Sequence, residues 1–321
     1  MPILDMPLAE LKEYTGVNPR PADFEEYWED ALRELDGIDS RIELVPSKFQ
    51  VSFAECFDMY FTGVRGAKIY VKLIRPKKQG KKQPALLMFH GYKDSSKCWN
   101  DKLQYAAAGF TVAAMDCRGQ GGLSEDTGGV KGTTQNGHII RGLDGDKQDM
   151  LMRHIFLDTV QLARIVMDMP EVDEKRVCVM GNSQGGGLSL ACAALEPRIC
   201  RLGISYPFLS DYKRVWDMDL AEDAYGELRY YFRQFDPLHE REEEIFEKLG
   251  YLDVHHLASK IRAQVMMAIS LMDSTCPPST QFAVYNSITA PKEALLYYDY
   301  GHEELPGYGD RLYQYFMELL S

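Results

Sequence analysis

No stretch of the 321 residues approaches the roughly 18 consecutive apolar residues that a membrane span requires. The segment Met1–Glu10 has no basic start followed by an apolar core, so no export signal is expected. Cysteine is sparse and odd in number: seven, at positions 56, 98, 117, 178, 192, 200 and 276, with no close pair at metal-ligand spacing. Several fall inside apolar runs, where cysteine acts as a small hydrophobe, so neither a disulfide framework nor a metal site is expected. Positive charge is also short, with 36 Lys and Arg against 48 Asp and Glu and a net charge of -12. Such a balance repels nucleic-acid phosphates and anionic lipid headgroups. The single basic cluster, 75–82, contains Pro76 and Gly80 between two apolar runs and reads as a solvated loop. Internal repeats and low-complexity tracts are absent. The expectation is a cytoplasmic protein with no membrane and no nucleic-acid partner.

What is present is ordinary globular composition, 45% hydrophobic and 26% charged. Phe24, Tyr27, Trp28, Ala31, Leu32 and Leu35 recur at helical spacing, while Glu25, Glu26, Glu29, Asp30, Arg33 and Glu34 occupy the other face. That helix, within an N-terminal extension 1–40, must lie on the main body or on a neighbouring subunit. Alternating runs at Gln50–Phe61 and Ala67–Ile74 predict antiparallel strands. Runs follow at Pro84–Phe89 and Phe110–Asp116, short and wholly apolar over 85–89 and 111–115, and then at Val177–Met180, Leu202–Tyr206 and Val265–Ser270, with Leu295–Tyr298 closing the series. Strands buried on both faces of a parallel sheet read this way. Alternation with helical stretches predicts a single α/β domain over 1–321 with a doubly wound, mostly parallel sheet. Two regions break the pattern. Gly119–Gly145 holds nine glycines with little periodicity, and 207–258 is a charged, aromatic, helical insertion. The insertion reads either as a cap over the site or as a contact between subunits.

Gly181-Asn182-Ser183-Gln184-Gly185 directly follows the apolar run Val177–Met180 and precedes the helix-like Leu188–Leu195. Strand, tight turn and helix with Ser at the apex is the setting of a nucleophile, and the small residues permit close backbone packing there. A serine hydroxyl needs a base to take its proton, and histidine is the usual one. His302 follows the last strand and precedes the helical pattern Arg311–Leu320, the position expected in the chain order Ser, acid, His. His239, His255 and His256 belong to the insertion, and His90 opens an earlier loop. Asp273, just after Val265–Ser270, is placed to orient His302, with Asp211 as its competitor. The N–H of Gln184, after the nucleophile, and of Tyr92, after strand Pro84–Phe89, are the expected oxyanion donors.

With these residues in view, the chain resembles the acetyl xylan esterase and cephalosporin-C deacetylase group, carbohydrate esterase family seven. Arg118-Gly119-Gln120, Gly181-Asn182-Ser183-Gln184-Gly185 and His302-Glu303 match its three motifs. Further similarity runs through Asn18-Pro19-Arg20-Pro21, Asp23-Phe24-Glu25-Glu26-Tyr27-Trp28 and Asp273-Ser274-Thr275-Cys276-Pro277-Pro278. The resemblance implies the α/β-hydrolase fold, a Ser183, Asp273 and His302 triad, and oxyanion donors at Tyr92 and Gln184. It also implies a homohexamer, and structural support of the site by Arg118 and Gln120. The implied activity is removal of acetyl groups from acetylated xylo-oligosaccharides, other acetylated sugars or cephalosporin C, with no cofactor. A tight acetyl pocket is then expected beside Ser183, bounded by Tyr92, Pro207 and Phe208. A different carboxylesterase, a lipase, or a non-catalytic binding protein on the same scaffold are the alternatives.

Overall fold

A computed structural model describes residues 4–77, 80–127 and 135–320. Lys78 and Gln79 of the basic cluster, and 128–134 of the glycine-rich segment, lie outside the described residues. Nine strands form one sheet: β1 (Glu43–Pro46), β2 (Ala54–Thr62), β3 (Lys68–Pro76), β4 (Gln83–Phe89), β5 (Thr111–Met115), β6 (Val172–Asn182), β7 (Arg201–Ser205), β8 (Gln264–Ser270) and β9 (Lys292–Tyr297). Their spatial order is β1-β2-β3-β5-β4-β6-β7-β8-β9. The pairings β1–β2, β2–β3 and β3–β5 are antiparallel, and every pairing from β5–β4 to β8–β9 is parallel. The helices are α1 (Leu8–Leu11), α2 (Phe24–Asp36), α3 (Leu103–Ala108), α4 (Leu151–Met167), α5 (Gln184–Leu195), α6 (Tyr212–Asp217), α7 (Gly226–Phe235), α8 (Glu242–Gly250), α9 (Val254–Leu257), α10 (Pro278–Ser287) and α11 (Tyr308–Met317).

The apolar runs form parallel strands because helices cover both sides of the sheet. On one face Leu87, Ala113 and Val179 pack with α4 and α5; on the other Leu86, Val112 and Cys178 meet Tyr105 of α3 and Leu312 and Phe316 of α11. Helix α2 buries Phe24, Tyr27, Trp28, Ala31 and Leu35, as its periodicity requires. It lies on this chain's own body, with Trp28 stacked on Phe156 of α4 at 5.9 Å.

Boundaries differ from the periodicity at four strands. The first long run pairs only from Ala54, because Gln50 folds back to bond the backbone of Cys56. Strand β1 is wholly exposed, so it carries no apolar alternation to read. Strand β9 begins at Lys292 and ends at Tyr297, and β6 reaches back through the charged stretch Asp173–Arg176 to pair Val172 with Gln83.

Helix α4 contributes one source of acid sensitivity. His154 lies against the Gln148 carbonyl, and burial, aided by Arg118 and Arg65, pushes its pKa down to about 3. The unfolded chain takes up that proton near pH 6.5 while the native chain does not. The stability this group contributes is therefore full above pH 6.5 and is lost toward pH 3, by up to about 1.4 kcal/mol per pH unit. Urea midpoints should decline below pH 6.5, and His154→Gln should flatten that slope; an unchanged slope would remove His154 as its cause.

Candidate active site

Ser183 stands between the end of β6 and the start of α5 with φ 55° and ψ -122°, a backbone state that a non-glycine side chain adopts only under constraint. The constraint is visible around it. A Cβ on Gly181 would collide with the backbone of Gly185, and one on Gly185 would collide with the Phe89 carbonyl of β4. Those two glycines let β4, β6 and α5 approach closely enough to force the turn. The Ser183 N–H donates to Ser205 O (3.1 Å), and its carbonyl accepts from Phe208 N (3.0 Å) and Gly187 N (3.1 Å). Gln184 opens α5, so its N–H has no partner inside the helix.

His302 and Asp273 arrive from the loops after β9 and β8. His302 Nε2 is 3.0 Å from Ser183 Oγ, and its Nδ1 is 2.8 Å from Asp273 Oδ2. The other oxygen of Asp273 accepts the N–H groups of Thr275 (2.9 Å) and Cys276 (2.7 Å), so the buried carboxylate is fixed in rotation. Tyr206, just past β7, lays its ring against His302 with centroids 4.7 Å apart. Asp211 lies elsewhere: it accepts Tyr14 Oη (2.7 Å) and the N–H groups of Val17 (3.0 Å) and Asn18 (2.9 Å). Its carboxylate makes no cap bond to α6 and instead anchors the N-terminal segment.

Two glutamine amides couple the Ser183 turn to the loop after β4. Gln120 Nε2 donates to Gln184 Oε1 (2.8 Å), and Gln184 Nε2 donates to Gln120 Oε1 (3.0 Å), which also accepts from Lys93 N (3.0 Å). His90 completes the loop's support, its Nε2 accepting from Cys117 N (2.9 Å) and its Nδ1 lying 2.8 Å from Gly91 O. Burial lowers the His90 pKa, so the ring stays neutral and serves as a fixed spacer. Arg118 makes a buried bidentate pair with Asp158 of α4, at 2.7 and 2.6 Å, and donates to Val64 O (3.2 Å). A guanidinium fork suits such a junction of loop, helix and strand end.

A cavity of about 380 Å³ opens beside Ser183 and His302. Met88, Ala114, Met180 and Tyr206 line its apolar part, and Asp94, Ser95, Ser96, Lys97 and Lys102 its polar part. Lys102 is buried, and that burial lowers its pKa to about 8. Tyr92, Pro207 and Phe208 are not among the lining residues. They sit behind the turn: Phe208 is fully buried against Gly187, and Tyr92 packs edge-on to Phe208 at 5.6 Å. The Tyr92 hydroxyl bonds Glu227 of α7, which also accepts Ile139 N (2.8 Å) and Ile140 N (3.0 Å). The insertion 207–258 thus braces the Tyr92 loop and contributes no lining residue to the cavity. Sequence reasoning passed over Tyr206, the 94–102 loop and Glu227. Tyr206 was signalled by its place just past β7, on the sheet edge that carries Ser183 and Asp273.

Among the described residues, potential metal ligands approach within 4.8 Å in two groups, Asp273–Cys276–His302 and Asp253–His255–His256. The first is the acid–base pair itself, with a Cys276 thiol pushed well up by burial. In the second, Asp253 caps α9 and pairs with His255 at 2.6 Å. Among the described residues no helix is long and apolar enough to cross a membrane.

The parallel sheet, the Ser turn between β6 and α5, and the acid and histidine on the next loops define an α/β-hydrolase fold. The acetyl xylan esterase (AXE1) family model matches residues 1–319, and the chain belongs to that family. The crystal structure of acetyl xylan esterase 1 from Thermoanaerobacterium sp. JW/SL YS485 is 64% identical, with a TM-score of 0.96 over 99% of this chain and 100% of that one. Acetyl xylan esterase from Paenibacillus sp. R4 is 33% identical, with a TM-score of 0.92 over 98% and 99% of the two chains. Acetyl esterase Axe7A of Xylanibacter ruminicola is 31% identical over 296 residues, 89% of this chain; the chain spans 64% of that relative's length.

Proposed function

We propose that this chain is a serine esterase that removes acetyl groups from acetylated xylo-oligosaccharides and related acetylated alcohols, cephalosporin C among them. The observation that carries the reading is the continuous relay Ser183 Oγ to His302 Nε2 (3.0 Å) and His302 Nδ1 to Asp273 (2.8 Å) at the mouth of a cavity. Its similarity to three acetyl esterases supplies the acyl group. His302 takes the Ser183 proton as the oxygen attacks the acetyl carbonyl, and Asp273 stabilises the imidazolium. The N–H groups of Gln184 and Tyr92 hold the oxyanion. The tetrahedral intermediate collapses, the alcohol leaves with the proton from His302, and water then releases acetate by the same steps. Arg118 and the Gln120–Gln184 pair act as positioning residues, keeping the Tyr92 loop in register with the turn. As in the resemblance above, six copies of the chain would assemble; light scattering at six times the 36.6 kDa chain mass checks this, and a concentration-independent monomer excludes it.

The cavity accepts the alcohol, whose hydroxyls meet Asp94, Ser95, Ser96 and Lys97, while the acetyl methyl faces the tightly packed Ser183 turn, behind which Pro207 and Phe208 lie. There the backbone is already in contact with Gly186 and Gly187. Each added methylene would gain about 0.8 kcal/mol by burial, but forcing it into packed backbone costs typically 1–3 kcal/mol. The clash wins, so kcat/KM for aryl esters should fall by about tenfold or more from acetate to butyrate. Changing the alcohol at constant acetyl should matter less. Rates that hold or rise up to octanoate would put the acyl chain in the cavity and favour a lipase-like enzyme.

A further inference from the structure

We propose that Cys178 and Cys200 form an oxidisable dithiol, a modification site at which a peroxide joins β6 to the entry of β7 through a disulfide. The two sulfurs lie 3.7 Å apart. Both project to the sheet face covered by α3 and α11. Their backbones are held in place: Cys178 pairs with Arg201 across the ladder, Cys200 N donates to Val177 O (2.9 Å), and Cys200 O accepts from Gln264 N (3.0 Å). Cys200 directly precedes Arg201, the ladder partner of Cys178; an inter-strand step of about 4.8 Å and a one-residue offset of about 3.3 Å put the two Cα atoms roughly 5.8 Å apart, inside the roughly 4.4–6.8 Å window of a disulfide. Side-chain rotation alone must therefore bring the sulfurs to the bonding distance of about 2.05 Å.

The two thiols are unlike each other in the way such a reaction needs. Cys178 is buried and its thiol is pushed up by that burial. Cys200 is half-buried, and the hydrogen bond from Cys178, aided by Arg201, holds its thiol below the ordinary value. Cys56, Cys117, Cys192 and Cys276 are buried with raised thiols, which keeps them protonated. Cys200 thiolate attacks one oxygen of hydrogen peroxide, the O–O bond breaks, and hydroxide leaves, giving a sulfenic acid. Cys178 sulfur then attacks the sulfenic sulfur; the S–O bond breaks, and hydroxide leaves with the Cys178 proton as water. Two thiols are oxidised by two electrons and one peroxide is reduced to two waters.

The pair sits about five residues, on the order of 16 Å, below Ser183 along β6, so the bond should tie the sheet without touching the site. The test uses the full chain carrying Cys98→Ser, which removes the exposed thiol. That variant keeps six of the seven cysteines, and treatment with hydrogen peroxide under native conditions should lower its free thiols from six to four. Non-reducing peptide mapping should show a Cys178–Cys200 cross-link that dithiothreitol reverses. Hydrolysis of p-nitrophenyl acetate should stay within about twofold, and the thermal midpoint should rise. Adding Cys200→Ser should abolish the cross-link while keeping that hydrolysis. Recovery of both residues unlinked, or of Cys200 as sulfinic acid beside a free Cys178 thiol, would overturn the proposal.

Discussion

Ser183→Ala should lower kcat by on the order of 10⁶-fold, the scale set by removal of a protease nucleophile. The proposed covalent step has no substitute for this oxygen. His302 without it can at best orient a water, and the oxyanion donors alone retain only a residual advantage over solvent. The fold should survive the change. Alanine keeps the Cβ, so the strained turn at φ 55° is no harder to hold, and the hydroxyl's one hydrogen bond to a side chain is to His302. The expected result is an unchanged circular dichroism spectrum and urea midpoint, no turnover of p-nitrophenyl acetate, and no labelling by a fluorophosphonate. Residual activity above a few per cent, in a preparation free of wild type, would take Ser183 out of the mechanism. Loss of labelling with retained turnover would point to a different nucleophile.

That prediction was already legible in the chain, and the reason is local. The glycines at 181 and 185, the apolar strand before them and the helix after them all lie within one short segment, so spacing alone reports the turn. The core strands were equally plain, since burial on both faces leaves no polar position in Leu86-Leu87 or Val112-Ala113. Exposed β1 was invisible for the opposite reason: with no buried side, Glu43–Pro46 has no pattern. The supports of the site were also hidden. Gln120 meets Gln184 across 64 positions, and Tyr92 meets Glu227 across 135. No periodicity encodes such pairs; only the crossing of β5, β6 and the insertion at one sheet edge brings them together. The cavity followed the same rule. Its polar wall comes from 94–102, a loop whose side chains read as ordinary surface until the sheet places them beside Ser183.

Asp273→Asn should cost about 10⁴-fold in kcat with little change in KM, through the proton's position on His302. Asp273 Oδ1 faces two N–H donors, Thr275 at 2.9 Å and Cys276 at 2.7 Å. An asparagine must keep its carbonyl oxygen there, because an NH₂ would oppose both donors. Its NH₂ is then turned toward His302 Nδ1, which in wild type lies 2.8 Å from a carboxylate oxygen. That contact is satisfied only if Nδ1 becomes an acceptor, so the ring proton moves to Nε2. Nε2 then faces Ser183 Oγ with a proton of its own and cannot take the serine's. The amide is close to the carboxylate in size, so the buried site should stay packed and the folded fraction should not change. Asp211→Asn is the discriminating comparison. That residue binds Tyr14, Val17 and Asn18, so its loss should loosen the N-terminal segment and lower the unfolding midpoint while leaving kcat within a few-fold. A crippled Asp211→Asn beside an active Asp273→Asn would reverse the assignment of the acid.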